Sequence, residues 1–182
     1  MSTIHSNPTV YTTRPVDDRL QKEMAVYDLL DKLGISYVRL DHNAAGHVED
    51  GDEVGKILDI DICKNLFLCN RQQTNFYLLL MPGRKDFHTK DLSKQIDSSR
   101  LSFAPQEFME KYLNVTPGSV SVMGLMNDTA NQVQLLIDRD VAESEFFGCH
   151  PCINTSSLKL SITDLLNKFL PFVEHKPIFV TL

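Results

Sequence analysis

The feature that most constrains this chain is a pair of apolar runs near its centre, Lys64 to Cys69 and Asn75 to Met81, joined by Asn70-Arg71-Gln72-Gln73-Thr74. Each run has the length of a strand rather than a helix, and a polar link of this length returns the chain on itself. The spacing predicts a hairpin in the middle of a sheet. With 182 residues, 42% hydrophobic and 23% charged, the chain can close one sizeable core over it. A single domain is expected over residues 17–182. Residues 1–16, with two prolines and no periodicity, read as an extended N-terminal arm.

Around the hairpin, short elements alternate irregularly. Leu20, Met24, Tyr27, Leu30 and Leu33 recur at helical spacing between Arg19 and Leu33; Asp17 and Asp18 suit the N-terminus of that helix and Gly34 its C′ position. Ile35 to Leu40 reads as a strand. The acidic stretch Asp41 to Asp61, with Gly46, Gly51 and Gly55, reads as a loop and then a short helix around Asp52 to Leu58. Thr89 suits the cap of a helix carrying Leu92 and Ile96, Arg100 to Phe103 is strand-like, and Pro105 suits the first turn of a helix carrying Phe108, Met109 and Tyr112. Ser119 to Leu125 and Gln132 to Asp138 read as strands around an Asn127-Asp128 turn. Ser161 with Asp164 resembles a capping box, and Pro177 to Leu182 closes as a strand. The expected class is α+β: a mixed, mainly antiparallel sheet or partial barrel flanked by short helices, not a doubly wound parallel sheet.

The net charge of −6 argues against a protein that coats nucleic acid by bulk electrostatics. Its distribution is uneven: residues 1–63 carry −6, 64–111 carry +3 and 112–182 carry −3. Contact with a polyanion should centre on the middle segment, where Arg84, Lys85, His88, Lys90, Lys94 and Arg100 lie; a solvated charged face explains them equally well. There is no run of roughly 18 apolar residues and no secretory pattern at the N-terminus, so a cytoplasmic protein with no membrane partner is expected.

Four cysteines, Cys63, Cys69, Cys149 and Cys152, are too few and too scattered to staple the chain, and free thiols are expected. Cys149-His150-Pro151-Cys152 has the composition of a thiol-disulfide redox pair, but the following Ile153-Asn154-Thr155-Ser156-Ser157 is a poor helix, and that chemistry needs a helix N-terminus. On one strand Cys63 and Cys69 would sit roughly 20 Å apart, too far to share a zinc ion. No metal is expected; small apolar core residues are the better reading of those two.

Lys64-Asn65-Leu66-Phe67-Leu68 places a lysine and an asparagine at the head of an otherwise buried strand. This segment resembles the K-N-L-F-L strand of the prolyl-tRNA synthetase associated, YbaK-like, editing domains. Val115-Thr116-Pro117-Gly118-Ser119-Val120-Ser121 resembles their V-T-P-G-S-V-S/T turn, Gly124-Leu125-Met126-Asn127-Asp128 their G/A-L-I-N-D segment, and Gly148-Cys149-His150-Pro151 their pocket loop. Asn154-Thr155 with Asp164-Leu165-Leu166 and Phe169-Leu170 is similar to their C-terminal end. Five motifs in order, spread over residues 20–180, resemble most closely the free-standing Ala-tRNA(Pro) deacylases. Val122-Met123 and Cys152 depart from the pattern, where Pro-Phe and Leu are common, and these departures are expected to reshape the amino-acid pocket.

The resemblance implies hydrolysis of mischarged tRNA(Pro), foremost Ala-tRNA(Pro), with no cofactor. The implied partners are the tRNA(Pro) acceptor end and, secondarily, prolyl-tRNA synthetase. Two alternatives stand beside it: a Cys-tRNA(Pro) deacylase of the same fold, and a non-catalytic module binding tRNA or synthetase. A second, smaller pocket makes sense because a proline site loses only about 1–3 kcal/mol when one or two methylenes are missing. Lys64 is expected as a phosphate or oxyanion clamp, since service as a base would require its pKa to drop by roughly three units. Asn65 would orient the substrate, Gly148 and Cys149 would aim backbone N–H groups at the ester carbonyl, and Pro151 and Asn127 would line the pocket. His150 would hold the aminoacyl amine or ribose and limit pocket size, or activate water.

Overall fold

The computed structural model describes residues 8–44 and 48–182, and of 48–50 the backbone alone. Residues 1–7 of the expected arm and Gly46 of the acidic loop lie outside the described residues. The strands are β1 (Val10–Tyr11), β2 (Tyr37–Asp41), β3 (Cys63–Asn70), β4 (Phe76–Pro82), β5 (Leu101–Phe103), β6 (Val133–Asp138), β7 (Phe146–Cys149), β8 (Ser156–Ser161) and β9 (Ile178–Val180). The helices are α1 (Gln21–Leu33), α2 (Val48–Leu58), α3 (Thr89–Gln95), α4 (Gln106–Phe108), which runs on as a π turn over Met109–Leu113, α5 (Arg139–Ala142) and α6 (Ile162–Asp164), which runs on as a π turn over Leu165–Phe169 and then an α turn over Leu170–Phe172.

The central hairpin forms as its apolar runs require. β3 and β4 pair antiparallel from Cys63 opposite Pro82 to Cys69 opposite Phe76. Asn70 holds the turn: its Oδ1 accepts from the N–H groups of Thr74 and Asn75, and its Nδ2 donates to the Thr74 hydroxyl. The hairpin sits inside a five-stranded sheet of order β5-β3-β4-β6-β9, in which β6 lies parallel to β4 and β9 parallel to β6. A second, antiparallel sheet runs β1-β2-β8-β7. A bridge between Ile62, just before β3, and Gly148 of β7 joins the two sheets.

Alternation along the strands sorts side chains into layers. Phe67, Cys69, Leu78, Leu80, Leu135 and Ile137 face the main core with α1 and the C-terminal helical segment. Leu68, Leu79, Met81 and Leu136 face the opposite side, against Leu92 of α3. On the second sheet, Leu40 packs with Val54 and Leu58 of α2, joined by Val38, Ile60 and Ile62. Thus α2 covers the outer face of β2 and β8.

Several local expectations change. Ser119 to Leu125 is not a strand. Val122–Asn127 forms a 3₁₀ helix whose N-cap, Ser121, accepts from the Met123 N–H at 3.1 Å. Val122, Met123 and Leu125 drop into the core, and Gly124 lies so close to Leu113 that an added Cβ would meet its Cβ and carbonyl oxygen at 3.0 Å. Asp17 and Asp18 stand just ahead of α1, whose N-cap is Leu20, and Asp17 pairs with Arg19 at 2.7 Å. Gly34 does end α1, at φ 63°, with its N–H on the carbonyls of Asp31 and Leu30. The cap position of α3 is His88, not Thr89. Gly148 and Cys149, expected in a loop, belong to β7.

Candidate active site

A cavity of about 960 Å³ opens between α2, the starts of β3 and β8, and the turn after β4. Its size suits a small-molecule or nucleotide-end ligand. Lys64 and Asn65 enter its wall because β3 begins there. Lys64 Nζ donates to the Lys85 carbonyl oxygen at 2.9 Å; among the described residues no carboxylate pairs with it. Lys85 is fixed in turn by Asp138, a fully buried carboxylate whose two oxygens accept its Nζ at 3.1 and 3.0 Å. Gly83, in the same turn, donates its N–H to the Ile62 carbonyl at 2.8 Å, and a Cβ there would meet that oxygen at 2.4 Å. This clamp holds the turn against the head of β3.

Asn65 Oδ1 accepts from the Val122 N–H at 3.0 Å, which docks the 3₁₀ helix onto β3. Ser121, at the head of that helix, donates to the His150 carbonyl, and His150 Nδ1 lies 2.8 Å from the Ser156 carbonyl. A carbonyl only accepts, so Nδ1 carries the proton and Nε2 is left with its lone pair in the neutral ring. Burial lowers the His150 pKa and nearby His42 lowers it further, against the opposing pull of the Ser156 carbonyl.

His42 and Ser157, without a role on sequence grounds, also line the cavity. His42 follows Val38 and Leu40 on the α2-facing side of β2, and its N–H bonds the Thr155 carbonyl at 3.0 Å. Its Nδ1 lies 2.7 Å from the Asn43 carbonyl and its Nε2 lies 2.9 Å from Ser157 Oγ. The His42 and His150 ring centroids are 6.1 Å apart. The period-two pattern of Val38-Leu40-His42 was the available signal, but only the β2–β8 pairing brings residue 157 to it.

The remaining expected residues fall outside the wall. Gly148 lies beneath it: an added Cβ would meet Ile60 Cδ1 at 2.7 Å and Ile62 Cδ1 at 2.9 Å, so its small size seats two cavity-lining isoleucines. Cys149 and Pro151 are buried behind the wall. Asn127 is elsewhere, its Nδ2 donating to the Leu113 carbonyl at 3.0 Å. Met123 and Cys152 are core residues, and neither they nor Val122 line the cavity, so departures at these positions do not touch the ligand directly. Of the six basic residues expected to meet a polyanion, Arg84 reaches the wall, where it pairs with Asp52 of α2 at 3.3 Å.

The thiol-disulfide reading is not supported. Cys149 and Cys152 are both free and buried. Burial pushes the Cys63 and Cys152 thiols up to about 12, and the Cys149 thiol higher still, the reverse of an activated thiolate. Iodoacetamide at pH 8 should therefore alkylate the buried Cys149 and Cys152 at least about 100-fold more slowly in the native protein than in urea, by mass spectrometry. Equal rates would show the thiols to be accessible.

Lys64, Asn65, Gly118 and His150 of the cavity wall come from segments that carry the family motifs. A model of the aminoacyl-tRNA editing domain matches residues 42–168. The chain belongs to that family. It is 31% identical over 147 residues to the prolyl-tRNA editing protein ProX of Acetoanaerobium sticklandii, covering 80% of this chain and 89% of the relative. It is 27% identical over 169 residues to prolyl-tRNA synthetase associated domain-containing protein 1 of Danio rerio, covering 92% and 89%. Among solved structures, a protein proposed as a trans-editing enzyme for prolyl-tRNA synthetase superposes with a TM-score of 0.65 at 12% identity, over 91% of this chain and 99% of that one. The hypothetical protein APE2540 superposes with a TM-score of 0.63 at 15% identity, over 84% and 95%. At these identities the superpositions establish the α+β editing-domain fold. Among the described residues no helix is long and apolar enough to cross a membrane.

Proposed function

We propose that this protein is a trans-acting deacylase that hydrolyses the ester of mischarged tRNA(Pro), with alanine as the amino acid removed. The observation that carries the reading is the convergence of Lys64, Asn65 and His150 on one cavity of about 960 Å³. A tRNA end brings a phosphate, a ribose and an aminoacyl ester. Lys64, held by the Lys85 carbonyl, offers a fixed cation for phosphate or a developing oxyanion. Asn65 is committed to the Val122 N–H through its oxygen and keeps its NH₂ for the ligand. His150 offers a lone pair at Nε2, and the apolar wall from Ile60, Ile62 and Phe146 limits the side chain accepted.

Arg84 and Lys56, at the cavity mouth, would meet the acceptor-stem backbone, and the exposed Lys90 and Lys94 extend the basic strip along α3. The synthetase of the same tRNA would be the second partner, and the cytoplasm the place of action. The test is a deacylation screen over Ala-, Ser-, Cys- and Pro-charged tRNA(Pro). Hydrolysis of Ala-tRNA(Pro) with Pro-tRNA(Pro) spared is the expected result. Saturable binding without turnover would instead identify a binding module, and preference for the cysteinyl ester would reassign the amino acid.

His150 gives this site a pH signature. Its folded pKa lies below the ordinary value of about 6.5. Below that pH the unfolded chain binds a proton that the folded chain refuses, so its contribution to stability is constant above about 6.5, declines as pH falls towards the folded pKa, and then levels. Thermal melts from pH 7.5 to 5 should show that decline, with a shallower one in His150→Gln. The acid limb of kcat/KM should fall below pH 6.5 in the wild type; a limb above 6.5 would contradict a buried neutral imidazole.

A further inference from the structure

The pair formed by His42 and Ser157 has no part in the roles assigned above, yet it is built into the cavity wall from residues 115 apart in the chain. His42 Nδ1 faces the Asn43 carbonyl, which can only accept, so Nδ1 carries hydrogen and Nε2 of the neutral ring is an acceptor. Ser157 Oγ, 2.9 Å from that nitrogen, must donate to it. The hydroxyl proton is thereby consumed within the protein, and what Ser157 has left is lone pairs. Beside this pair, with its ring centroid 6.1 Å from that of His42, His150 is in the same state: Nδ1 donates to the Ser156 carbonyl and Nε2 is left to accept.

One part of the cavity therefore offers acceptors, while Lys64 and Arg84 supply cations from the β3–β4 side. Of the wall's carboxylates, Asp52 is paired with Arg84, and Asp59 and Asp61 are exposed at the rim. Lys159, on the same face as Ser157, is occupied by the carbonyls of Leu58 and Asp59. An acceptor-only site lined by Ile60 and Ile62 suits a compact ligand group that only donates. In an aminoacyl ester that group is the α-ammonium, with three N–H donors and no acceptor. We infer that Ser157, with its proton held by His42, is a receptor for the α-ammonium of the aminoacyl group, alongside His150. The identity of the ligand rests on the deacylase reading. Ser157 lies inside regular strand β8 rather than on an exposed turn, which sets it apart from an attacking nucleophile.

The test measures binding separately from chemistry. Two non-hydrolysable probes, 3′-deoxy-3′-(alanylamino)adenosine and its propionylamino analogue lacking the amine, are titrated by NMR against the wild type, Ser157→Ala and Ser157→Thr, with Ala-tRNA(Pro) turnover followed in parallel. In the wild type the amine-bearing probe should bind about tenfold more tightly. That gap should vanish in Ser157→Ala and survive in Ser157→Thr. Should circular dichroism show Ser157→Ala unfolded, Ser157→Cys replaces it, since sulfur is a weak acceptor, and the gap should again close. No gap in the wild type, or an unchanged gap in the folded variant, overturns the inference. So does an alanyl ester on Ser157 trapped by acid quench and found by mass spectrometry. A gap that behaves as expected in a protein without turnover would remove the deacylase reading and leave the ammonium receptor standing.

Discussion

Lys64→Ala should lower kcat/KM for Ala-tRNA(Pro) by about 10²-fold or more, the usual cost of deleting one pre-positioned electrostatic group at a reacting centre. The side chain stands at the head of β3, half-buried, with its ammonium on the Lys85 carbonyl and the rest of its surroundings open to the cavity. Little of the fold depends on it, so the melting temperature should move by no more than about 2 °C. Lys64→Arg keeps the charge but not the shape of a single carbonyl-anchored ammonium, and should recover only part of the activity. Single-turnover deacylation with thermal melts on the same samples gives both readouts. Undiminished turnover in the alanine variant would remove Lys64 from the mechanism, and a collapsed melt would show that its role is structural.

The second large effect lies away from the cavity. Asp128 and His175 form a contact with side chains 1% exposed each, Nε2 to Oδ2 at 3.0 Å. Asp128 also accepts from the N–H groups of Gln132 at 3.0 Å and Val133 at 2.8 Å, and so starts β6. His175 Nδ1 is bonded to the Val173 carbonyl at 2.6 Å. Asp128→Ala strands two backbone donors and a buried imidazole at once, and should cost about 3–5 kcal/mol. In a chain of this length that lowers the melting temperature by roughly 10 °C. Activity below the transition should be nearly unchanged, because the pair does not line the cavity. A loss under 1 kcal/mol would show that water replaces the carboxylate at little cost.

The Asn127-Asp128 pair shows how a motif is visible in a sequence while its purpose is not. Asn127 ends the 3₁₀ helix and Asp128 caps it, rather than forming a turn of their own; Asn127 spends its side chain on Leu113 and Asp128 on β6 and His175. Their partners are 14 and 47 residues away, and nothing in local spacing points to either. Ser119 to Leu125 misleads for a related reason. Its apolar residues fit a strand, yet Asn65 Oδ1 takes the Val122 N–H and the segment winds into a 3₁₀ helix under the Ser121 cap.

The five-residue polar link and the two apolar runs sufficed to specify the hairpin, because strand length and turn chemistry are local properties that the chain carries with it. The same is true of α1, whose periodicity and terminal Gly34 act within a few turns. Lys64, Asn65 and His150 were legible as a group only through the resemblance of ordered motifs. The tertiary structure decided what those residues meet. It set Lys64 on the carbonyl of a turn clamped by Asp138, moved Gly148 from the ligand to the packing of Ile60 and Ile62, and brought His42 to Ser157. Such contacts depend on which strands pair and in what register, and a one-residue slip would turn His42 or Ser157 to the opposite face of the sheet. Local sequence sets the elements; the pairing of distant strands composes the site.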